Sequence, residues 1–402
     1  KRGVRRRRQM IVRDRHKLGG ACLNYGCVPS KAVLRSAKLL SHISRSQDFG
    51  VRAASADFDF AEIMERVQQV IRDIEPHDSP ERYESMGVEV IQGRARITSP
   101  WIVEVDGRVL TTRAIVIAAG AEPLVPPIPG LDQVDYLTSD TVWNLRERPD
   151  RLVVLGGGPI GSELSQAFAR LGAQVTQVEM ADRIMGKEDP EVSEAVVERF
   201  RTEGIDVRTG HKGKAVELVD GQPQLLVETP AGDEERIPFD RILLALGRKA
   251  RLSGYGLEEL GIEADRTIVA DDFLRTKYPN IYVAGDVAGP YQFTHTASHM
   301  AWYAAVNALF GQFKRFRVDY SVVPWATFTD PEVAHVGHNE TSAREAGVEY
   351  EVTTYGIDDL DRAIADSEAH GMVKVLTVPG KDKILGVTIV GEHAAELLAE
   401  YT

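Results

Sequence analysis

The sequence predicts an α/β fold built from two related strand–loop–helix units, followed by a separate, incomplete α+β domain. Three observations predict it. A strand, a glycine loop, a helix and a second strand follow one another in RLVVLGGGPIGSELSQAFARLGAQVTQVE from Arg151. Two continuously apolar runs, IVIAAG and ILLALG, each close on a glycine, as buried parallel strands do. Beyond about Tyr320 the chain changes to strands rich in β-branched residues, VKVLTV and ILGVTIVG, with helices between.

In chain order, the apolar spacing of Ala32, Leu34, Leu39 and Leu40 against Lys31, Arg35 and Lys38 predicts an amphipathic helix from Ser30 to Ile43, opening directly after Cys27. A second helix is expected from Phe60 to about Glu75, where Pro76 ends it. Strands follow at Val88 to Gln92, Ile102 to Val105 and Val109 to Thr112, the last two flanking Asp106-Gly107, a tight-hairpin pair. Ala114 to Gly120 reads as a buried parallel strand. After the unit at Arg151 come a hairpin-rich stretch from Lys214 to Pro238, a buried strand Ile242 to Ala245 closed by Gly247, and the strand IYVAGD ending on Asp286. No tandem repeat of solenoid period is visible.

A chain of 402 residues is too long for one ordinary core, so about two or three domains are expected. With 43% hydrophobic and 27% charged residues it reads as soluble and globular, which excludes disorder on a large scale. The net charge of -12 argues against a nucleic-acid-binding body, which needs a basic stripe to release counterions. Lys1, Arg2 and the arginines from Arg5 to Arg8 form a basic opening, read as a misplaced start or a solvated strand end rather than a nucleic-acid or membrane-surface arm. There is no apolar run of about 18 residues and no signal-peptide pattern, so no membrane span and a cytoplasmic location are expected.

The two cysteines, Cys22 and Cys27, lie in GGACLNYGCVPSK with four residues between them. Two cysteines cannot build a disulfide framework, and a close pair in a reducing compartment is catalytic or metal-binding. No histidine or further cysteine nearby completes four ligands, so no metal is expected. A helix start offers free amides and the positive dipole end to a thiolate, and Cys27 sits at one. The intervening loop is short enough for the sulfurs to meet in a reversible disulfide.

Gly156, Gly158 and Gly161 fit G-x-G-x-x-G between a strand and a helix. That context lets the backbone approach a pyrophosphate whose charge the helix start favours. Glu179 follows roughly twenty residues on, where an acid binds adenosine ribose hydroxyls and repels a 2′-phosphate. NAD(H) is therefore expected over NADP(H), with Arg183 close enough to soften the repulsion.

GGACLNYGCVPSK resembles the active-site signature of the class I pyridine nucleotide-disulfide oxidoreductases, the family of dihydrolipoyl dehydrogenase, glutathione reductase and mercuric reductase. The resemblance continues through IVIAAGAEP, GGGPIGSEL, ILLALGR and TKYPNIYVAGDVAG, nearly the whole chain. It implies two Rossmann-like domains, for FAD and NAD(P), and a C-terminal dimerisation domain. The implied division is 1–147 for the first part of the FAD domain, 148–266 for the NAD(P) domain, 267–319 for the return to the FAD domain and 320–402 for the interface domain. It implies that Cys27 is the flavin-proximal sulfur and Cys22 the interchange thiol, that Lys31 lies by the flavin with Glu163 as its ion-pair partner, and that Asp286 and Gly285 meet the ribityl chain of FAD. Asp14 stands where the family has a ribose-binding acid, in an unusually basic strand, and the resemblance implies that Gly19, Gly20, Gly120 and Gly247 are further cofactor contacts.

The resemblance also implies that the family's first strand, glycine loop and helix lie upstream of Lys1 and its His-Pro-Thr segment downstream of Thr402, so the chain reads as truncated at both ends. In the family that histidine serves the partner's site, which implies a homodimer for the full-length protein. The implied substrate is a disulfide or dithiol, as for dihydrolipoyl dehydrogenase, or Hg(II) as the alternative; EDPEVSEAVVERFRTEGIDV and DDLDRAIADSEAHGMVKVL look more like the mercuric-reductase branch, while Glu179 leans toward an NAD enzyme. Glutathione reductase, which usually has basic residues around the adenosine phosphate, fits less well. An alternative of another class is a non-catalytic nucleotide-binding remnant of a broken gene.

Overall fold

The computed structural model describes residues 10–14, as backbone, and 17–402; the basic opening from Lys1 to Arg8 lies outside the described residues. The described residues fall into two compact units. The first gathers those of Lys1–Val28 with Gln69–Glu122 and Arg248–Asp319, and the second gathers Pro29–Gln68, Pro123–Gly247 and Tyr320–Thr402.

In the first unit the strand Met10–Asp14 pairs in parallel with Val88–Gln92, and Ile115–Ile117 pairs in parallel with Ile281–Val283. Ala95–Ser99, Ile102–Val105 and Arg108–Thr111 form an antiparallel meander. Its hairpin turns at Asp106 and Gly107 with φ of 45° and 86°, two positive values in succession, which suit the right-handed twist of the flanking strands. The run from Ala114 to Gly120 differs from its expectation. Only Ile115–Ile117 is strand; Ile115 and Ile117 are buried while Val116 is 44% exposed. A continuous apolar run marks strand character but not which faces are covered, and this short pair covers one face among the described residues.

The second unit holds the strand–loop–helix–strand passage read from Arg151. Arg151–Leu155, the helix Pro159–Arg170 and Gln174–Val178 follow in turn. Their sheet is parallel, ordered Asp206–Arg208, Gln174–Val178, Arg151–Leu155, Arg241–Leu244, Tyr136–Thr138. An antiparallel layer of Lys212–Val219, Gln222–Glu228 and Glu234–Pro238 packs on it, joining Val216, Leu225 and Ile237 to Val153, Leu155 and Ile242 in one core. The C-terminal residues form an antiparallel sheet ordered Trp325–Thr327, Glu332–Gly337, Ile384–Gly391, Met372–Thr377, Glu351–Gly356. Its core is Ala334, Val336, Val387, Ile389 and Leu398. Among the described residues no helix is long and apolar enough to cross a membrane.

Candidate active site

The cysteine loop is shaped by its glycines. Gly19, at φ 87°, caps the short helix Gly20–Asn24, and a Cβ there would lie 2.4 Å from Leu23 Cδ2. Asn24 Nδ2 donates to the carbonyls of Leu18, at 2.9 Å, and Gly20, at 3.0 Å, tying the loop together. Cys27 is the first residue of an 18-residue helix, Cys27–Ser44, with Pro29 in its first turn, where a missing N–H costs nothing. Both cysteines are thiols, Cys22 half-buried and Cys27 exposed. The hydrogen bond between them, then burial, push the Cys22 thiol far up, while the Thr294 hydroxyl pulls it down. Cys22 thus holds its proton more tightly than a free thiol, and Cys27 stands at the helix start, where free amides and the positive dipole end favour a thiolate. Thr294 Oγ1 lies 3.4 Å from Cys27 Sγ and opens a helix of its own, Thr294–Phe310. No sequence pattern marks Thr294, which stands 267 positions from Cys27.

Lys31, one turn beyond Cys27 on the same helix, extends Nζ to Glu163, at 2.8 Å from Oε2 and 3.0 Å from Oε1. Glu163 is 5% exposed, within the helix Pro159–Arg170, and its Oε1 also accepts the Phe328 N–H at 2.9 Å. The Phe328 ring lies under the ammonium, 4.5 Å from Nζ to the centroid. Phe328 is a second neighbour that sequence reasoning missed.

Two glycines of the nucleotide loop are required by packing. A Cβ on Gly156 would lie 2.3 Å from the Ala245 carbonyl oxygen, and one on Gly161 would lie 2.1 Å from the Gly156 oxygen. Gly158 is different: no atom lies within 4 Å of its Cβ position, and it precedes the helix start without a side-chain cap. The first-turn amides are therefore free for an anion, as a pyrophosphate site needs. Glu179 follows the strand Gln174–Val178, and its carboxylate accepts the N–H of Gly157 at 2.5 Å and of Ala181 at 2.8 Å. Arg183 donates to the Gly186 carbonyl at 3.3 Å and pairs with Asp182 at 3.5 Å.

In the first unit Gly20 and Gly120 have positive φ and an open Cβ position, while Gly285 has positive φ beside Ala297. In the second unit Gly247, also at positive φ, follows the strand Arg241–Leu244 and accepts the Leu124 N–H. Burial pushes the Asp286 carboxyl up and the Arg248 charge draws it down. Asp14 ends the strand Met10–Asp14; its side chain lies outside the described residues.

A cysteine pair whose second member opens a helix, and an uncapped glycine loop opening another, define a class of protein that carries both a nucleotide site and thiol redox chemistry. The chain belongs to the pyridine nucleotide-disulphide oxidoreductase family, whose model matches residues 5–301; the family's dimerisation domain matches residues 323–402. Mercuric reductase from Bacillus cereus is 34% identical over 388 residues, 96% of this chain and 61% of that protein, so the chain spans less than two thirds of it. Dihydrolipoyl dehydrogenase from Chlamydia muridarum is 32% identical over 97% of this chain and 83% of that one. Among solved structures, the HOCl-induced flavoprotein disulfide reductase RclA from Escherichia coli superposes with a TM-score of 0.84 at 26% identity, covering 98% of this chain and 86% of that chain. LpdA from Mycobacterium tuberculosis gives 0.86 at 26% identity with the same coverages. The family uses FAD and NAD(P); the open Gly158 position of the second unit suits a pyrophosphate, and the half-buried Asp286 of the first is a polar group of the kind a ribityl chain would meet.

Proposed function

We propose that this protein is an FAD-dependent oxidoreductase that passes electrons between a nicotinamide nucleotide and the Cys22–Cys27 pair, which then reduces or oxidises a disulfide or dithiol substrate. The observation that carries this reading is the cysteine pair itself, with Cys27 at a helix start, hydrogen-bonded to Cys22 and 3.4 Å from Thr294 Oγ1. Bound FAD supplies the relay of two electrons from NAD(P)H that opens the disulfide. The rest is done by the chain's own residues. Cys22 passes its proton to Cys27, attacks a substrate disulfide and expels one substrate sulfur, which takes that proton from Cys27; the Cys27 thiolate then attacks Cys22, restores the disulfide and expels the second sulfur, which is protonated by solvent. Lys31, fixed by Glu163, places a positive charge one turn from Cys27 that would offset negative charge on a bound flavin.

Glu179 supports NAD(H) over NADP(H), since its carboxylate is held by two backbone amides at the ribose end of the loop while Arg183 is engaged by Gly186 and Asp182. We assign 1–147 and 267–319 to the flavin, 148–266 to the nicotinamide nucleotide and 320–402 to dimerisation, with a homodimer as the working form; the dimerisation-domain match supports the last. Hg(II) is the second substrate class, supported by the 34% identity to mercuric reductase.

Purification and a paired assay test the reading. A yellow protein that oxidises NADH with lipoamide or with Hg(II) supports it, and the faster acceptor names the branch. A colourless protein that oxidises no NADH with either acceptor would make it the non-catalytic remnant instead.

A further inference from the structure

The segment from Ile184 to Asp189 is held from two sides. On one side is the nucleotide loop: the Met185 N–H donates to the Gly157 carbonyl at 2.6 Å, and the buried Ile184 lies where a Cβ on Gly157 would come within 2.8 Å of its Cγ2. On the other side are the C-terminal residues. Trp325 Nε1 donates to Glu188 Oε1 at 2.8 Å, and Asn339 Nδ2 donates to the Lys187 carbonyl at 2.8 Å. Asp189 Oδ1 accepts the Thr341 N–H at 3.0 Å and its hydroxyl at 2.8 Å, and Oδ2 accepts from Lys374 Nζ at 3.1 Å.

Lys374 and Asp189 are 3% and 2% exposed at their side chains, in the strand Met372–Thr377 and just before the helix Pro190–Thr202. Glu191 and Glu340 converge on the same ammonium. The group Asp189, Glu191 and Glu340 has a metal-like spacing, but Lys374 already supplies its cation. A buried ion pair adds little net stability over an apolar pair of the same size, and its best-attested use is to fix one arrangement among several. What this pair fixes is the far end of a six-residue segment whose near end backs Gly157, and the Gly157 N–H in turn holds the Glu179 carboxylate at 2.5 Å.

We propose that Lys374 and Asp189 are positioning residues for the nicotinamide nucleotide, setting the placement of Gly157 and Glu179 through the 184–189 segment. This rests on the reading of the glycine loop as the nucleotide site. The C-terminal sheet therefore contributes to nucleotide affinity without touching the nucleotide, and the effect falls on binding rather than on the chemical step.

The test is the Kd for NADH, measured by fluorescence titration on the flavin-loaded protein, with amide exchange at Met185 as a second readout. Lys374→Met is expected to weaken binding about tenfold and to speed exchange at Met185, with kcat nearly unchanged. Lys374→Arg is expected to restore binding, and Lys214→Met, in the exposed pair with Glu228, to leave it unaltered. If wild-type protein binds neither NADH nor NADPH, the nucleotide-site reading fails and the proposal with it. If the wild type binds and Lys374→Met binds equally well, the proposal alone is overturned. Should Lys374→Met fail to fold, Thr341→Val removes a single hydroxyl donor to Asp189; about threefold weaker binding supports the proposal, and an unchanged Kd overturns it.

Discussion

Glu163 receives the Lys31 ammonium on both carboxylate oxygens, at 2.8 and 3.0 Å, and is itself pinned by the Phe328 N–H at 2.9 Å. The pair joins a half-exposed cation to a buried anion, so the two partners differ in what their loss costs. Glu163→Gln keeps an oxygen for Phe328 and removes the charge. It is expected to slow flavin reduction by NADH at least about tenfold and to cost about 1–2 kcal/mol of stability. Lys31→Met strands a buried carboxylate and is expected to cost more on both counts. Stopped-flow flavin reduction and denaturant melts check this, and equal rates in all three proteins would remove Lys31 from the reaction.

The Cys22 thiol is raised first by its hydrogen bond to Cys27 and then by burial, and lowered by Thr294. The signs give opposite predictions for two variants. Cys27→Ala removes the largest raising cause, so Cys22 is expected to become alkylatable at lower pH. Thr294→Val removes the lowering hydroxyl and is expected to shift that alkylation to higher pH, with Thr294→Ser restoring it. The pH dependence of Cys22 alkylation, followed by mass spectrometry on reduced protein, reads both; shifts in the same direction would contradict the geometry.

Burial raises the Glu188 carboxyl from 4.5 to about 6, against the opposing Trp325 hydrogen bond. A carboxyl with a folded value above its unfolded value binds its proton more tightly when folded. Its ionised form therefore costs stability above about pH 6, and that cost disappears as pH falls to 4.5. Glu188→Gln keeps an oxygen for Trp325 and is expected to stabilise the protein by about 2 kcal/mol at pH 8, with the gain vanishing near pH 4.5. Urea melts at the two pH values decide it, and a gain independent of pH would mean the carboxylate is not the cause.

Glu179 occupies both oxygens with backbone amides and still offers lone pairs to ribose hydroxyls. The ratio of kcat/KM for NADH over NADPH is expected to exceed about ten. Glu179→Ser is expected to lower that ratio while weakening NADH binding, because Gly157 loses its acceptor. A wild-type preference for NADPH would reverse the nucleotide assignment.

Much of this was legible because it is local. The βαβ unit compresses a strand, a glycine loop and a helix into adjacent positions, and Asp106-Gly107 and Pro29 mark a turn and a helix start through their own backbone preferences. Contacts that depend on the tertiary fold left no such mark. Thr294 meets Cys27 across 267 positions, Phe328 meets Glu163 across 165, and Lys374 meets Asp189 across 185. Lys374 is the sharpest case. In the alternating strand VKVLTV a lysine reads as a solvated face, yet its side chain is 3% exposed because three carboxylates surround it.

One measurement tests directly whether Cys27 is the sulfur that faces the flavin and carries the negative charge. Flavin-loaded protein is reduced anaerobically with NADH and its absorbance recorded beyond the flavin bands. A long-wavelength thiolate-to-flavin band in wild type that is lost in Cys27→Ser is the predicted result; retention of that band in Cys27→Ser would contradict it.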